Sequence, residues 1–182
     1  NSRPLMGGTD TCVRIREGFY KERIMVDVKG LPQMKEISFD PKKGLTIGGA
    51  VSMNEVAAFD AVQEFYPMLA EACDSVASYQ LRSRATIVGN ICNASPAGDT
   101  LGMSILLDAE VTVFGVEGKE RIEPLATFFK GPGRTVLQTG ELVKSVFYPL
   151  PFRSHDGLCP SRSCCVGRRR TTAESVWSTA TG

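Results

Sequence analysis

Two stretches of this 182-residue chain carry residue types suited to holding a bulky anion. Residues 86–99 read Thr-Ile-Val-Gly-Asn-Ile-Cys-Asn-Ala-Ser-Pro-Ala-Gly-Asp, and residues 6–10 read Met-Gly-Gly-Thr-Asp. A pyrophosphate brings dense negative charge up to the backbone, so its neighbours must donate N–H groups without a Cβ in the way. Gly7, Gly8 and Gly89 allow that approach. Thr9 adds a hydroxyl donor, and a helix beginning at Asp10 would turn its positive end towards the ligand. In the second stretch Thr86, Asn90 and Ser95 are short hydrogen-bonding side chains, and Asp99 is an acceptor suited to sugar or ribityl hydroxyls. Plainer roles are open to the same residues: turn formation for the first loop, Thr86 and Ser95, and a helix cap for Asp99. Arg82 and Arg84 flank the second loop, either to neutralise phosphate or as part of a solvated face. Two such loops in one chain suggest a nucleotide-type ligand held at its phosphates from two sides. On this reading Gly8→Val blocks the approach and leaves the fold intact.

Strands and helices must carry these loops. Pro4 to Met6 is a short apolar run ending in a glycine pair, as at a strand-to-loop junction, and Asp10 to Arg16 reads as a short helix closed near Gly18. Arg23 to Val28 reads as a strand. Lys35 to Phe39 and Leu45 to Ala50 read as a hairpin turned at Pro41-Lys42-Lys43-Gly44. Ser52 followed by Glu55 three residues on is a capping box, opening a helix with Val56, Phe59 and Val62 near one face. Pro67 opens a second helix with Leu69, Ala72, Cys73 and Val76 at helical spacing. Both should cover one face of a sheet. Leu101 to Leu107 reads as a helix, Glu110 to Gly115 and Lys119 to Ile122 as paired strands, and Leu125 to Phe129 as a helical turn. Leu142 to Tyr148 is a last strand, stopped by Pro149 and Pro151. This mixture of βα units and hairpins argues α+β.

The totals narrow the partners. A net charge of +1 gives no reason to expect nucleic acid or a charged membrane surface. No apolar run approaches the length of about 18 residues needed for a membrane span. The six cysteines are scattered, with no Cys-x-x-Cys pair, and His155 is the one histidine. A metal site is therefore not expected. Free thiols favour a reducing cytoplasm. The chain begins without Met and close to a strand, which suggests missing upstream sequence. Residues 152–182 change character. They hold three cysteines, Arg168-Arg169-Arg170 and many Ser and Thr, without apolar period. They read as a disordered tail, with a frameshifted segment or an interaction arm as the alternatives.

Three segments carry a family resemblance: Met-Gly-Gly-Thr-Asp at 6–10, Gly-Leu-Thr-Ile-Gly-Gly-Ala-Val-Ser at 44–52, and Arg-Ser-Arg-Ala-Thr-Ile-Val-Gly-Asn-Ile-Cys-Asn-Ala-Ser-Pro-Ala-Gly-Asp at 82–99. They resemble the FAD-binding (medium) subunit of molybdenum hydroxylases, over roughly residues 3 to 150. The resemblance implies an α+β, vanillyl-alcohol-oxidase-type (PCMH) fold of two lobes, 1–51 and 52–151, truncated at both ends. The tail 152–182 would stand in place of a C-terminal domain. It implies FAD between the lobes, touched by Leu5, Met6, Gly7, Gly8, Thr9 and Asp10 of the first loop, and by Thr86, Ile87, Val88, Gly89, Asn90, Ser95 and Asp99 of the second. Val76 falls where the family has an apolar or aromatic residue beside the flavin, and Val143 where a backbone contact is expected; plain core packing is the other reading of both. Val88 stands where the family usually has Gly, so that turn is expected to be tighter or displaced. Ser161 falls near a flavin-contacting Lys of the family, and no role is carried over to it.

The implied activity is that of an oxidoreductase subunit. Substrate is oxidised at molybdenum on a large subunit, electrons cross two [2Fe-2S] clusters of a small subunit, and FAD hands them to an external acceptor. The assembly is a heterotrimer, dimerised. This chain would bind no metal and supply no catalytic acid or base. A free-standing flavin oxidoreductase of the same fold and a fragment that no longer binds FAD are the competing readings.

Overall fold

The computed structural model describes residues 2–154 and 157–159. The chain opens as β1 (Ser2–Leu5), α1 (Thr9–Arg16) and β2 (Ile24–Asp27), with β1 and β2 paired in parallel. Parallel neighbours require a crossover, and α1 is that crossover. A 3₁₀ turn over Pro32–Lys35 then delays the next strand to β3 (Ile37–Asp40), two residues later than the sequence suggests. β3 turns into β4 (Gly44–Gly48) with Asp40 facing Gly44. The Asp40 carboxylate accepts from the Lys42 N–H at 2.8 Å, which fixes the turn.

The capping box at Ser52 forms as the sequence predicts. The Glu55 N–H donates to Ser52 Oγ and the Ser52 N–H donates to Glu55 Oε2. The helix it opens is short. It breaks into α2 (Met53–Ala57) and α3 (Asp60–Phe65), because Phe59 is extended between them. Pro67 opens α4 (Pro67–Ser75). There follow α5 (Tyr79–Arg82), α6 (Ile87–Asn93) and α7 (Asp99–Leu106). Next come β5 (Glu110–Phe114), β6 (Glu120–Pro124), α8 (Leu125–Phe128), the small hairpin β7 (Phe129–Gly131) and β8 (Arg134–Thr135), and β9 (Leu142–Pro149).

β9 is the centre of a five-stranded antiparallel sheet of order β3-β4-β9-β5-β6. The expected lobe boundary at residue 51 does not separate the sheets. β4 precedes it and is hydrogen-bonded to β9, so the change of sheet falls between β2 and β3. Leu45, Ile47, Val111, Val113, Val143 and Val146 form one core with Val56, Val62, Leu69 and Cys73 of the helices, which covers a sheet face as predicted. Residues 2–150 lie within one compact unit. In the second unit, β10 (Phe152–Ser154) pairs antiparallel with β11 (Gly157–Cys159). The rest of the expected tail, including His155, Ser161 and Arg168–Arg170, lies outside the described residues. Among the described residues no helix is long and apolar enough to cross a membrane.

The core contains polar groups that are satisfied. Tyr66 donates to the Tyr148 carbonyl at 3.2 Å, Ser104 Oγ pairs with the Tyr148 hydroxyl at 2.8 Å, and Ser104 donates to the Thr100 carbonyl. Burial raises the Tyr148 hydroxyl, pushes Tyr66 up to about 12 and pushes the Cys73 thiol up to about 12. These groups are neutral in the fold and ionise more readily in the unfolded chain. Their contribution is therefore complete below the ordinary thiol and phenol values of 9.0 and 10.0 and is lost as pH climbs towards about 12. The thermal midpoint is expected to fall through that window, and Cys73→Val is expected to flatten its lower end.

Candidate functional site

One cleft of about 690 Å³ gathers most of the residues singled out from the sequence. Its volume lies within the usual range for small-molecule and cofactor pockets. Met6, Gly7, Gly8, Thr9 and Asp10 form one side of it. Gly8 is the N-cap of α1 at φ 79°, and with no side chain it leaves the first-turn N–H groups uncapped. The Cys12 N–H is the first to be used within the helix, donating to the Gly8 carbonyl at 2.9 Å. The positive φ revises the expectation for Gly8→Val. A β-branched residue is strained there regardless of any ligand, so the variant would perturb the backbone as well as the cleft.

Thr86, Gly89, Asn90, Ser95 and Asp99 line the cleft from a second direction. The sequence reads residues 86–90 as a flexible glycine-bearing loop; the structure makes them the start of α6. Thr86 is its N-cap, and its Oγ1 accepts from the Gly89 N–H at 2.9 Å. Ile87 and Val88 are each only 1% exposed and pack in the core, and neither lines the cleft. Val88 therefore does not obstruct it, contrary to the expected tight or displaced turn: the helix turns the valine away from the ligand space. Leu5 also lies outside the lining. Its Cδ1 sits 3.0 Å from where a Cβ on Gly8 would be.

α7 is capped by Gly98, not Asp99. Asp99 is the first helical residue, exposed and facing the cleft, so the capping role expected for it is filled by its neighbour. Ser95 Oγ accepts from the Ala97 N–H at 3.3 Å, the turn contact foreseen for it. Asn90 Nδ2 donates to Thr100 Oγ1 at 2.9 Å and ties α6 to α7.

The two loops touch. A Cβ on Gly7 would overlap the carbonyl oxygen of Arg84 and lie 3.2 Å from the Ala85 Cα. Glycine is required at position 7 for the first loop to rest on the chain entering α6. Arg82 does not serve as a free cation. It donates to the Val76 carbonyl at 3.0 Å and to Asn54 Oδ1 at 3.3 Å, and it lies 3.6 Å from Asp74. It thereby fixes the backbone at Val76, which lines the cleft beside Ala77 and Leu81.

A further side, from Gly133 through Thr135 and Leu137 to Glu141 and Leu142, has no counterpart among the residues singled out from the sequence. Only its neighbour Val143 was foreseen. Gly131 and Gly133 both have positive φ, and the run Gly131-Pro132-Gly133 was the available signal. The Gly133 N–H donates to the Ala94 carbonyl at 2.9 Å, joining this side to the end of α6. The charges here are paired. Arg121 holds the Glu141 carboxyl below the usual range, and the two lie 2.9 Å apart. Arg3, on the first side, lies 2.5 Å from Glu22.

The family described as "FAD binding domain in molybdopterin dehydrogenase" matches residues 1–151. The xanthine dehydrogenase FAD-binding subunit of Escherichia coli O157:H7 is 29% identical over 153 residues, covering 84% of this chain and 52% of the relative. The nicotinate dehydrogenase FAD-subunit of Eubacterium barkeri is 27% identical over 175 residues, covering 94% and 57%. Carbon monoxide dehydrogenase from Hydrogenophaga pseudoflava, in a structure lacking the Mo-pyranopterin moiety, superposes with a TM-score of 0.78 at 28% identity, covering 82% of this chain and 51% of that one. The chain thus spans about half the length of the curated relatives it matches.

Proposed function

The chain belongs to the family of FAD-binding domains of molybdopterin dehydrogenases, and from that premise we propose that it is the flavin-carrying part of a molybdenum-containing hydroxylase or dehydrogenase. The observation that carries the placement of the cofactor is the convergence of three helix starts on one cleft: α1 at Gly8, α6 at Thr86 and α7 at Gly98. Helix starts present N–H groups and a positive dipole end, which suits a pyrophosphate without a dedicated lysine. Two of the three have glycine at the cap, so no side chain competes with a ligand for those groups.

The residues present fit FAD. Gly7, Gly8, Thr9 and Asp10 on one side of the cleft and Thr86, Gly89 and Asn90 on another would hold the pyrophosphate, and Ser95 and Asp99 would offer polar partners to the hydroxyl-bearing chain. Val76, with Leu142, gives an apolar bed for the ring system, and Val143, whose side chain is buried in the core, would offer its backbone. Leu5, Ile87 and Val88 act from behind, by packing the two loops. Bound FAD supplies the redox chemistry; the protein binds it, orients it and excludes water from one side.

In the complete enzyme the electrons would come from [2Fe-2S] clusters on a small subunit, with substrate oxidised at molybdenum on a large one, and would leave to an external acceptor. A reducing cytoplasm suits the free thiols Cys12, Cys73 and Cys92. The test is reconstitution. The FAD-loaded chain, mixed with a molybdenum subunit and an iron–sulfur subunit from one of the related enzymes, should lose its visible flavin band when that enzyme's substrate is added. Bleaching by the substrate without the other subunits would instead favour a free-standing flavin oxidoreductase. No bleaching in either case would remove the electron-transfer role.

A further inference from the structure

An aromatic and cationic assembly at the edge of the cleft has no part in the phosphate site. The Arg3 guanidinium lies 3.7 Å from the centroid of the Tyr20 ring. Arg3 Nε and Nη2 donate to Glu22 Oε1 at 2.9 and 2.5 Å, and Arg14 Nη1 donates to the Tyr20 hydroxyl at 2.8 Å. Three parts of the first lobe, namely β1, α1 and the connection to β2, thus hold one cation–π pair. Arg3 and Tyr20 both line the cleft; Glu22 and Arg14 do not. A guanidinium stacked on a phenol and tied down at both ends has already lost its rotamer freedom. It can therefore take a planar ring at low entropic cost.

We infer that Arg3 and Tyr20 form the wall against which the adenosine half of the dinucleotide packs, and that this wall makes the cleft select FAD over FMN. The inference rests on the FAD reading above. If the glycine loop Gly7-Gly8 holds the pyrophosphate and Val76 and Val143 lie beside the flavin, the other half of the molecule must leave on the side of β1 and α1. The stacked pair is the planar surface found there. A purine is a planar π-system of the kind that aromatic and guanidinium faces accept. Arg3 is already matched by Glu22, so its charge is not free to serve as a phosphate clamp. Its use is as a surface.

The experiment is equilibrium titration of the full chain with FAD, FMN and ADP, for the unsubstituted protein, Tyr20→Leu and Tyr20→Phe. Tyr20→Leu should weaken FAD and ADP by about tenfold, the size of one lost base–aromatic stack, and leave FMN unchanged. Tyr20→Phe keeps the ring and should stay within about twofold of the unsubstituted protein for all three, on the same scale. Equal weakening of FAD and FMN would mean that Tyr20 only supports the fold of the lobe, and unchanged FAD and ADP would mean that the pair does not touch the ligand; either result overturns the inference. Failure of the unsubstituted chain to take up FAD at all would instead remove the cofactor reading beneath it.

Discussion

Gly7→Ala is expected to lose both stability and cofactor. Its new Cβ would overlap the Arg84 carbonyl oxygen, a backbone atom that cannot swing aside as a long side chain would. Either the first loop lifts off the chain leading into α6 or that chain moves. Overpacking against backbone costs about 3 kcal/mol, and the displaced loop carries Gly8 and the start of α1 out of register with Thr86. FAD affinity should fall by at least about tenfold, the equivalent of 1.4 kcal/mol, and the thermal midpoint should drop with it. Gly30→Ala is the control. Nothing lies within 4 Å of a Cβ there and its φ is ordinary, so both properties should be unchanged. A Gly7→Ala protein with unaltered midpoint and affinity would show that the two loops are not held by this contact.

Val88→Gly is the second large effect, and here the sequence pattern and the structure point in opposite directions. Read as a loop residue in place of a family glycine, Val88 leaves the turn tighter or displaced, and glycine there should improve binding. In the structure Val88 is a core residue of α6. Removing it leaves a cavity and places a glycine in a short helix, at a cost of about 3 kcal/mol. Chemical denaturation should show that loss, and FAD titration should show no gain. Tighter FAD binding by Val88→Gly would mean that the valine does face the ligand.

The same residue shows what was legible in the chain and what was not. The glycines, the one threonine and the terminal aspartate of residues 86–99 pointed to a cleft-facing segment, and Thr86, Gly89, Asn90, Ser95 and Asp99 all line the cleft. Their composition hid the helix they begin, because Gly89 and Asn90 are poor helix formers by themselves and the stability of α6 comes from burying Ile87, Val88 and Ile91. The capping box at Ser52 was readable because it is a local contact at fixed spacing. The break at Phe59 was not, since the capping box and apolar spacing alone suggested one continuous helix there.

Features made by distant residues escaped the reading. Gly133 to Leu142 meets the cleft only because β9 threads the centre of the sheet. Arg82 was a candidate phosphate ligand until its contacts with Val76, Asn54 and Asp74 were seen, and a long side chain's partner cannot be read from its neighbours in sequence. Arg3 and Tyr20 are 17 positions apart, joined by a strand–helix unit whose existence was foreseen. Their stacking depends on how that unit packs. The boundary at residue 51 followed a glycine-rich segment that proved to be the end of β4 and its exit, inside the sheet.

If the three helix starts around one cleft hold FAD, the chain binds the cofactor by itself and in a fixed ratio. Stoichiometric titration of the purified chain with FAD, read by quenching of flavin fluorescence and by the flavin band retained after gel filtration, tests it most directly. The expected result is saturation at one FAD per chain with retention of the band. A colourless protein that quenches nothing at any FAD concentration would contradict it.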